Sequence, residues 1–174
     1  MTRTRHGQSL LEMALVTPML LLLLFGIIDF SYYIYGWATI QFAVARGAQQ
    51  AAILPPSTLE PSYSDSAIGA DACLRLIYDR AKAGTTGFTP TNGEFSFRWF
   101  AVHGASEAEQ PAGTSRNTII VPNTIVELQL VHRAHPLTPL ASTLFGGEDF
   151  EFRARARRTV MNVDVGPSNN CEAP

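Results

Sequence analysis

Two carboxylates stand where carboxylates are costly. Glu12 and Asp29 bracket the 16 uncharged residues from Met13 to Ile28, which include the run Leu20-Leu21-Leu22-Leu23-Leu24. A charged side chain in an apolar zone is expensive and usually marks function. For Glu12 there is also a local use. Ser9-Leu10-Leu11-Glu12 fits a capping box, in which the Ser and the Glu three residues on satisfy orphan amides and no partner is needed. Other chemistry is sparse. The four histidines, His6, His103, His132 and His135, have no metal-ligand spacing, and neither a His-Glu-x-x-His nor a Cys-x-x-Cys pair exists. There is no Gly-x-Ser-x-Gly elbow and no phosphate-binding glycine loop. The reading is therefore a protein without catalytic residues, cofactor or metal.

Three further groups invite a role. Cys73 and Cys171 can form a bridge in an oxidising compartment, or they are two unrelated thiols. A closed loop of that length adds roughly 4–5 kcal/mol in the chain-entropy account. Arg153, Arg155 and Arg157 alternate along one stretch, beside Arg158. They read as a solvated face paired with cross-strand acids such as Glu127, or as a docking strip for an acidic partner. Tyr32, Tyr33, Tyr35 and Trp37 follow Asp29, and such rings gather at membrane–water boundaries.

The elements that must position these groups begin with an unusual N-terminus. The chain has 174 residues, 13 Lys+Arg against 15 Asp+Glu, and is 46% apolar and 16% charged. That excludes a disordered chain and argues against a nucleic-acid binder. Leu10 to Phe30 supplies 21 residues, roughly 31 Å of helix, enough to cross a bilayer. Arg3 and Arg5 place the N-terminus on the cytoplasmic side; Asp29 and the aromatic belt mark the outer face. Alanines from Ala38 to Ala52 carry the helix on until Pro55-Pro56 ends it, with Pro18 expected to kink or loosen it. A cleaved secretory signal fits poorly, because the apolar core exceeds 7–15 residues. A plain signal-anchor explains everything except Glu12.

Beyond a Pro/Ser/Thr-rich linker at 55–65, a helix is expected over Ser66–Ala83, with apolar positions Ile68, Ala72 and Leu76 flanked by Leu74 and Ile77. From Glu94 the period changes to two: Phe95, Phe97, Trp99 and Ala101 share one strand face. Gly104–Asn117 reads as a loop or wide hairpin. Ile119–Val121 and Ile125–Arg133 read as strand, Leu137–Phe145 as a short helix, and Glu148–Val165 as the last strand. The fold class is α+β: a long membrane-spanning helix, then a small extracytoplasmic domain of one helix on a three- to four-stranded antiparallel sheet.

The segment Arg5-His6-Gly7-Gln8-Ser9-Leu10-Leu11-Glu12 resembles the class III signal of type IV prepilins. The wider stretch to Pro18, then Phe25-Gly26-Ile27-Ile28-Asp29-Phe30 and Ala45-Arg46-Gly47-Ala48, resembles the TadE-like family, minor pseudopilins of the tight-adherence (Tad) pilus. The resemblance implies a leader at 1–7, cleavage between Gly7 and Gln8 by a prepilin peptidase, and a retained helix at 8–54. It implies that Glu12, then the fifth residue, pairs with the N-terminal amine of a neighbouring subunit. Glycine before the cut admits close approach of a protease. The implied setting is the bacterial cytoplasmic membrane, with residues 66–174 outside it. The implied partners are membrane lipid, other pilin and pseudopilin subunits, the peptidase and the Tad inner-membrane platform, in pilus biogenesis and adhesion. The domain's size points to a minor subunit. The alternative is an uncleaved single-pass anchor carrying an extracytoplasmic enzyme or binding domain.

Overall fold

The computed structural model describes residues 6–103, 106–115, 124–144 and 146–160. Its first element, α1, runs His6–Ile53 without a break. The helix therefore starts before Ser9, which lies in its first turn and not at an N-cap. Pro18 is also absorbed within the helix. It removes one amide donor, and beside it the Thr17 hydroxyl donates to the Met13 carbonyl at 2.7 Å. Leu54 N–H still bonds to Gln50 O, and Pro55-Pro56 then stops the helix as expected.

The chain divides into two units: Met1–Tyr35 with Arg133–Phe150, and Gly36–His132 with Glu151–Pro174. In the first, α1 is exposed on all sides from Leu10 to Leu24. A helix apolar all round and uncovered suits lipid, not water, and Leu10–Ile53 is long and apolar enough to cross a membrane. Also in this unit lies the short helix α4, Pro139–Leu144.

The second unit uses the rest of α1 as core. Ile40, Ala43, Val44, Ala48 and Ala51 are buried, a helical stripe of three- and four-residue steps. The stretch expected to be a linker carries a strand, β1 (Thr58–Leu59), paired with β4 (Thr114–Ser115). The single helix expected over Ser66–Ala83 is two: α2, Asp65–Ala70, and α3, Ala72–Lys82. Asp71 divides them. Its extended backbone ends α2, and its carboxylate caps α3 by accepting from Cys73 N–H at 2.8 Å and Leu74 N–H at 3.2 Å. The break resets the helical phase, so the buried face of α3 is Cys73, Leu74, Ile77, Tyr78 and Ala81, not the stripe through Ala72 and Leu76.

The main sheet has the order β3-β2-β5-β6. Its strands are β2 (Phe95–His103), β3 (Ser106–Glu109), β5 (Thr124–Ala134) and β6 (Phe150–Thr159). β2 runs antiparallel to β3 and β5, in register Phe97↔Leu128 and Trp99↔Val126. The expected period holds: Phe95, Phe97, Trp99, Val126, Leu128, Leu130, Phe152 and Ala154 are buried. Tyr78 of α3 meets Phe95 edge-on at 5.2 Å, and Phe97 stacks on Trp99 at 6.3 Å. The α+β expectation is met, with four strands. The strand expected at Ile119–Val121 and the end of the last one past Val160 lie outside the described residues.

Candidate functional site

Gly7 and Gln8 fall in the first turns of α1, and Glu12 follows, exposed. Around it Leu10, Leu11, Met13, Leu15 and Val16 are all more than half exposed.

Asp29 is the surprise of the helix. Expected as a marker of the outer face, it is only 8% exposed within the chain. Its carboxylate accepts the Thr138 amide at 3.1 Å and the Thr138 hydroxyl. One turn on, Tyr33 meets Phe150 edge-to-face at 5.7 Å. Residues four apart lie on one helical face, so both ends of the 133–150 segment are tied to one stripe of α1. Nothing local announces Thr138: it is 109 residues from Asp29. The one hint is a polar residue in Pro136-Leu137-Thr138-Pro139. Of the remaining belt, Tyr35 and Trp37 are about half exposed and Tyr32 is partly covered.

The arginine strip is largely satisfied within the chain. Arg157 Nε donates to Glu127, and its Nη1 lies 3.2 Å from Glu107. Glu127 is 1% exposed and has Arg98 at 4.0 Å on its other side. Arg98 is paired bidentately with Glu109, at 3.0 and 2.6 Å. Both guanidinium groups also lie over the Phe100 ring, at 5.3 and 5.0 Å. These hydrogen bonds raise the pKa of Arg157 and Arg98, and the Arg98 contact lowers that of Glu109. Arg153 is engaged by Glu151 of its own strand. Arg155 has no acidic partner among the described residues. The pairing of Arg157 with Glu127 was legible in the sequence; the burial of Glu127 was not.

Cys73 is buried on α3, and Cys171 lies outside the described residues. His132 is buried with Nδ1 3.1 Å from both Glu94 oxygens, its ring edge-on to Phe88. His135 pairs with Asp149. Among the described residues no group of three or more His, Cys, Asp or Glu converges as a metal site. Among the described residues, the side-chain polar atoms buried without a hydrogen bond include the Tyr78 hydroxyl, whose pKa burial pushes up to about 12, and the Trp99 indole nitrogen. The Trp99 ring borders a cavity of about 350 Å³ with Leu59, Pro61, Phe97 and Pro111.

No curated protein and no solved structure matches the chain. A family model does: that of TadE-like proteins, over residues 7–49. The stretch it covers carries Gly7, Glu12, Pro18 and Asp29 together, and over these residues the chain is similar to that family.

Proposed function

We propose that the protein is a minor pseudopilin or assembly subunit of a Tad-type pilus, anchored in the cytoplasmic membrane by α1 and acting without catalysis in pilus biogenesis and adhesion. One observation carries this reading: the family match takes in the stretch of α1 from Leu10 to Leu24, exposed and apolar on every side, in which Glu12 is the sole charged residue. A prepilin peptidase cuts between Gly7 and Gln8 and leaves the helix in place. The mature chain loses Arg3 and Arg5, so its net charge moves from −2 to −4 (13 − 2 basic against 15 acidic). Glu12 then accepts the free amine of a neighbouring pilin or pseudopilin, each charge relieving the other in a medium that solvates neither. The N-terminus faces the cytoplasm and the sheet-bearing domain lies outside. Cys73 and Cys171 are bridged there.

The test is N-terminal sequencing of protein from cells that contain the matching peptidase. A mature chain starting at Gln8 is expected; one retaining Met1 or Thr2 overturns the reading. Glu12→Ala should be cleaved normally yet fail to assemble beside partner subunits. Normal assembly of that variant would leave Glu12 without the role given to it.

A second reading, a binding domain on an uncleaved anchor, draws on the cavity beside Trp99. Its lining sets apolar side chains beside the charged pair Arg98 and Glu109.

A further inference from the structure

Asp29 and Thr138 hold Pro136-Leu137-Thr138-Pro139 against α1 at the first buried residue met along it from Leu10. Leu137, next to the fixed Thr138, is 59% exposed, and below it Ile27, Ile28 and Phe30 are exposed too. The segment is built for a medium that accepts no hydrogen bonds. Two of its four residues are prolines and carry no amide donor, and the Thr138 donors are both given to Asp29. Of the carbonyls, Thr138 accepts from Ser142 N–H at 3.4 Å and Pro139 from the Ser142 hydroxyl at 2.8 Å. Backbone groups that enter lipid must be satisfied internally, and here the Thr138 amide and the Thr138 and Pro139 carbonyls, three of the segment's six backbone groups, are, which suits a boundary and not the bilayer centre. Its charges lie outside these four residues, where His135 and Asp149 pair.

We propose that Pro136–Pro139 is a second membrane contact: it sits at the outer headgroup–acyl boundary with Leu137 against lipid, clasped there by Asp29. The occupant follows from continuity, because the segment adjoins the surface of a helix already read as membrane-spanning, and the inference rests on that reading. The depth is consistent. With Asp29 at the outer edge of the hydrocarbon, a span of roughly 28 Å puts the inner edge at Leu10. Asp29 therefore sets how far the helix enters the membrane, and the Thr138 hydrogen bonds remove the cost of a bare carboxylate at that level.

The test uses the full chain in vesicles of phosphatidylethanolamine and phosphatidylglycerol, with nitroxide labels at L137C, L20C and A112C. The unmutated chain, carried through the same labelling, supplies the background. Collision with dissolved oxygen reports lipid; collision with a water-soluble nickel chelate reports solvent. Expected is an oxygen preference of several-fold at 20, a nickel preference at 112, and an intermediate value at 137. A label at 137 as wet as that at 112, with 20 still in lipid, overturns the inference and leaves the anchor standing. A wet label at 20 overturns the anchor, and the inference with it. Adding D29A to L137C should move that label into solvent; an unchanged depth would refute the clasp.

Discussion

Gly36 lies where α1 enters the core of the second unit, and its lack of a side chain is a packing requirement. A Cβ there would stand 2.7 Å from Phe88 Cζ and 2.9 Å from Phe152 Cζ. Carbon atoms rest comfortably at about 3.5–4.0 Å. Both rings are buried, meet each other edge-on at 5.7 Å, and have little room to retreat. Two effects compete when the glycine is replaced. Helix propensity favours Ala and Leu over Gly by about 1 kcal/mol. Overpacking a filled core costs about 1–3 kcal/mol for a small addition and more for a larger one. Gly36→Ala should therefore lose about 1 kcal/mol net, and Gly36→Leu about 3 kcal/mol or more. At about 4 °C per kcal/mol for a domain near a hundred residues, the midpoints should fall by roughly 4 and 12 °C. The assay is thermal unfolding of the full chain in detergent, followed by near-ultraviolet circular dichroism of the aromatic core. Gly26 is the control, because a Cβ there meets nothing within 4 Å, so Gly26→Ala should melt no lower than the parent, with any helix-propensity gain raising it. If both Gly36 variants melt at or above the parent, helix propensity governs the site and the packing argument is wrong.

Other consequences can be checked in the same preparation. Asp71→Ala should cost about 1–2 kcal/mol, the value of a helix cap, read by urea unfolding. Burial works to raise the Asp71 pKa, but the Ser57 amide and hydroxyl and the Leu74 and Cys73 amides outweigh it and hold it below 3.8. A depressed folded-state pKa adds stability above the unfolded-state value that is lost as pH falls through the folded one. The gap between parent and Asp71→Ala should thus be full at pH 7 and shrink below pH of about 4; a gap independent of pH would refute the charged cap. Glu127→Ala removes a buried carboxylate whose two partners remain half in water. Its cost belongs between that of an exposed pair and a buried one, about 2 kcal/mol, and a loss under about 0.5 kcal/mol in urea unfolding would deny the network any structural role. Intact mass under non-reducing conditions should be lower by two hydrogens than after reduction if Cys73 and Cys171 are joined.

What could be read in advance followed from local rules. The period-two run from Phe95 to Ala101 and the proline pair at 55–56 are short-range signals, and both hold. The split at Asp71 was also local, an Asp before Ala-Cys-Leu, but an apolar stripe drawn across it concealed the cap. Two features had no local signal. Asp29 reads as a boundary residue until Thr138 is brought to it, and that meeting depends on tertiary structure alone. Glu127 reads as a surface acid because its neighbours on β5 alternate correctly; Arg98, Arg157 and Phe100, from other strands, are what cover it.

One helix carries both the bare apolar stretch and part of the second unit's core. The helix that is bare from Leu10 to Leu24 supplies Ile40, Val44 and Ala48 to the core without any intervening tether. A protease nick at residues 55–57 would strip the domain of its central support, whereas a cut just before Gly36 would spare it.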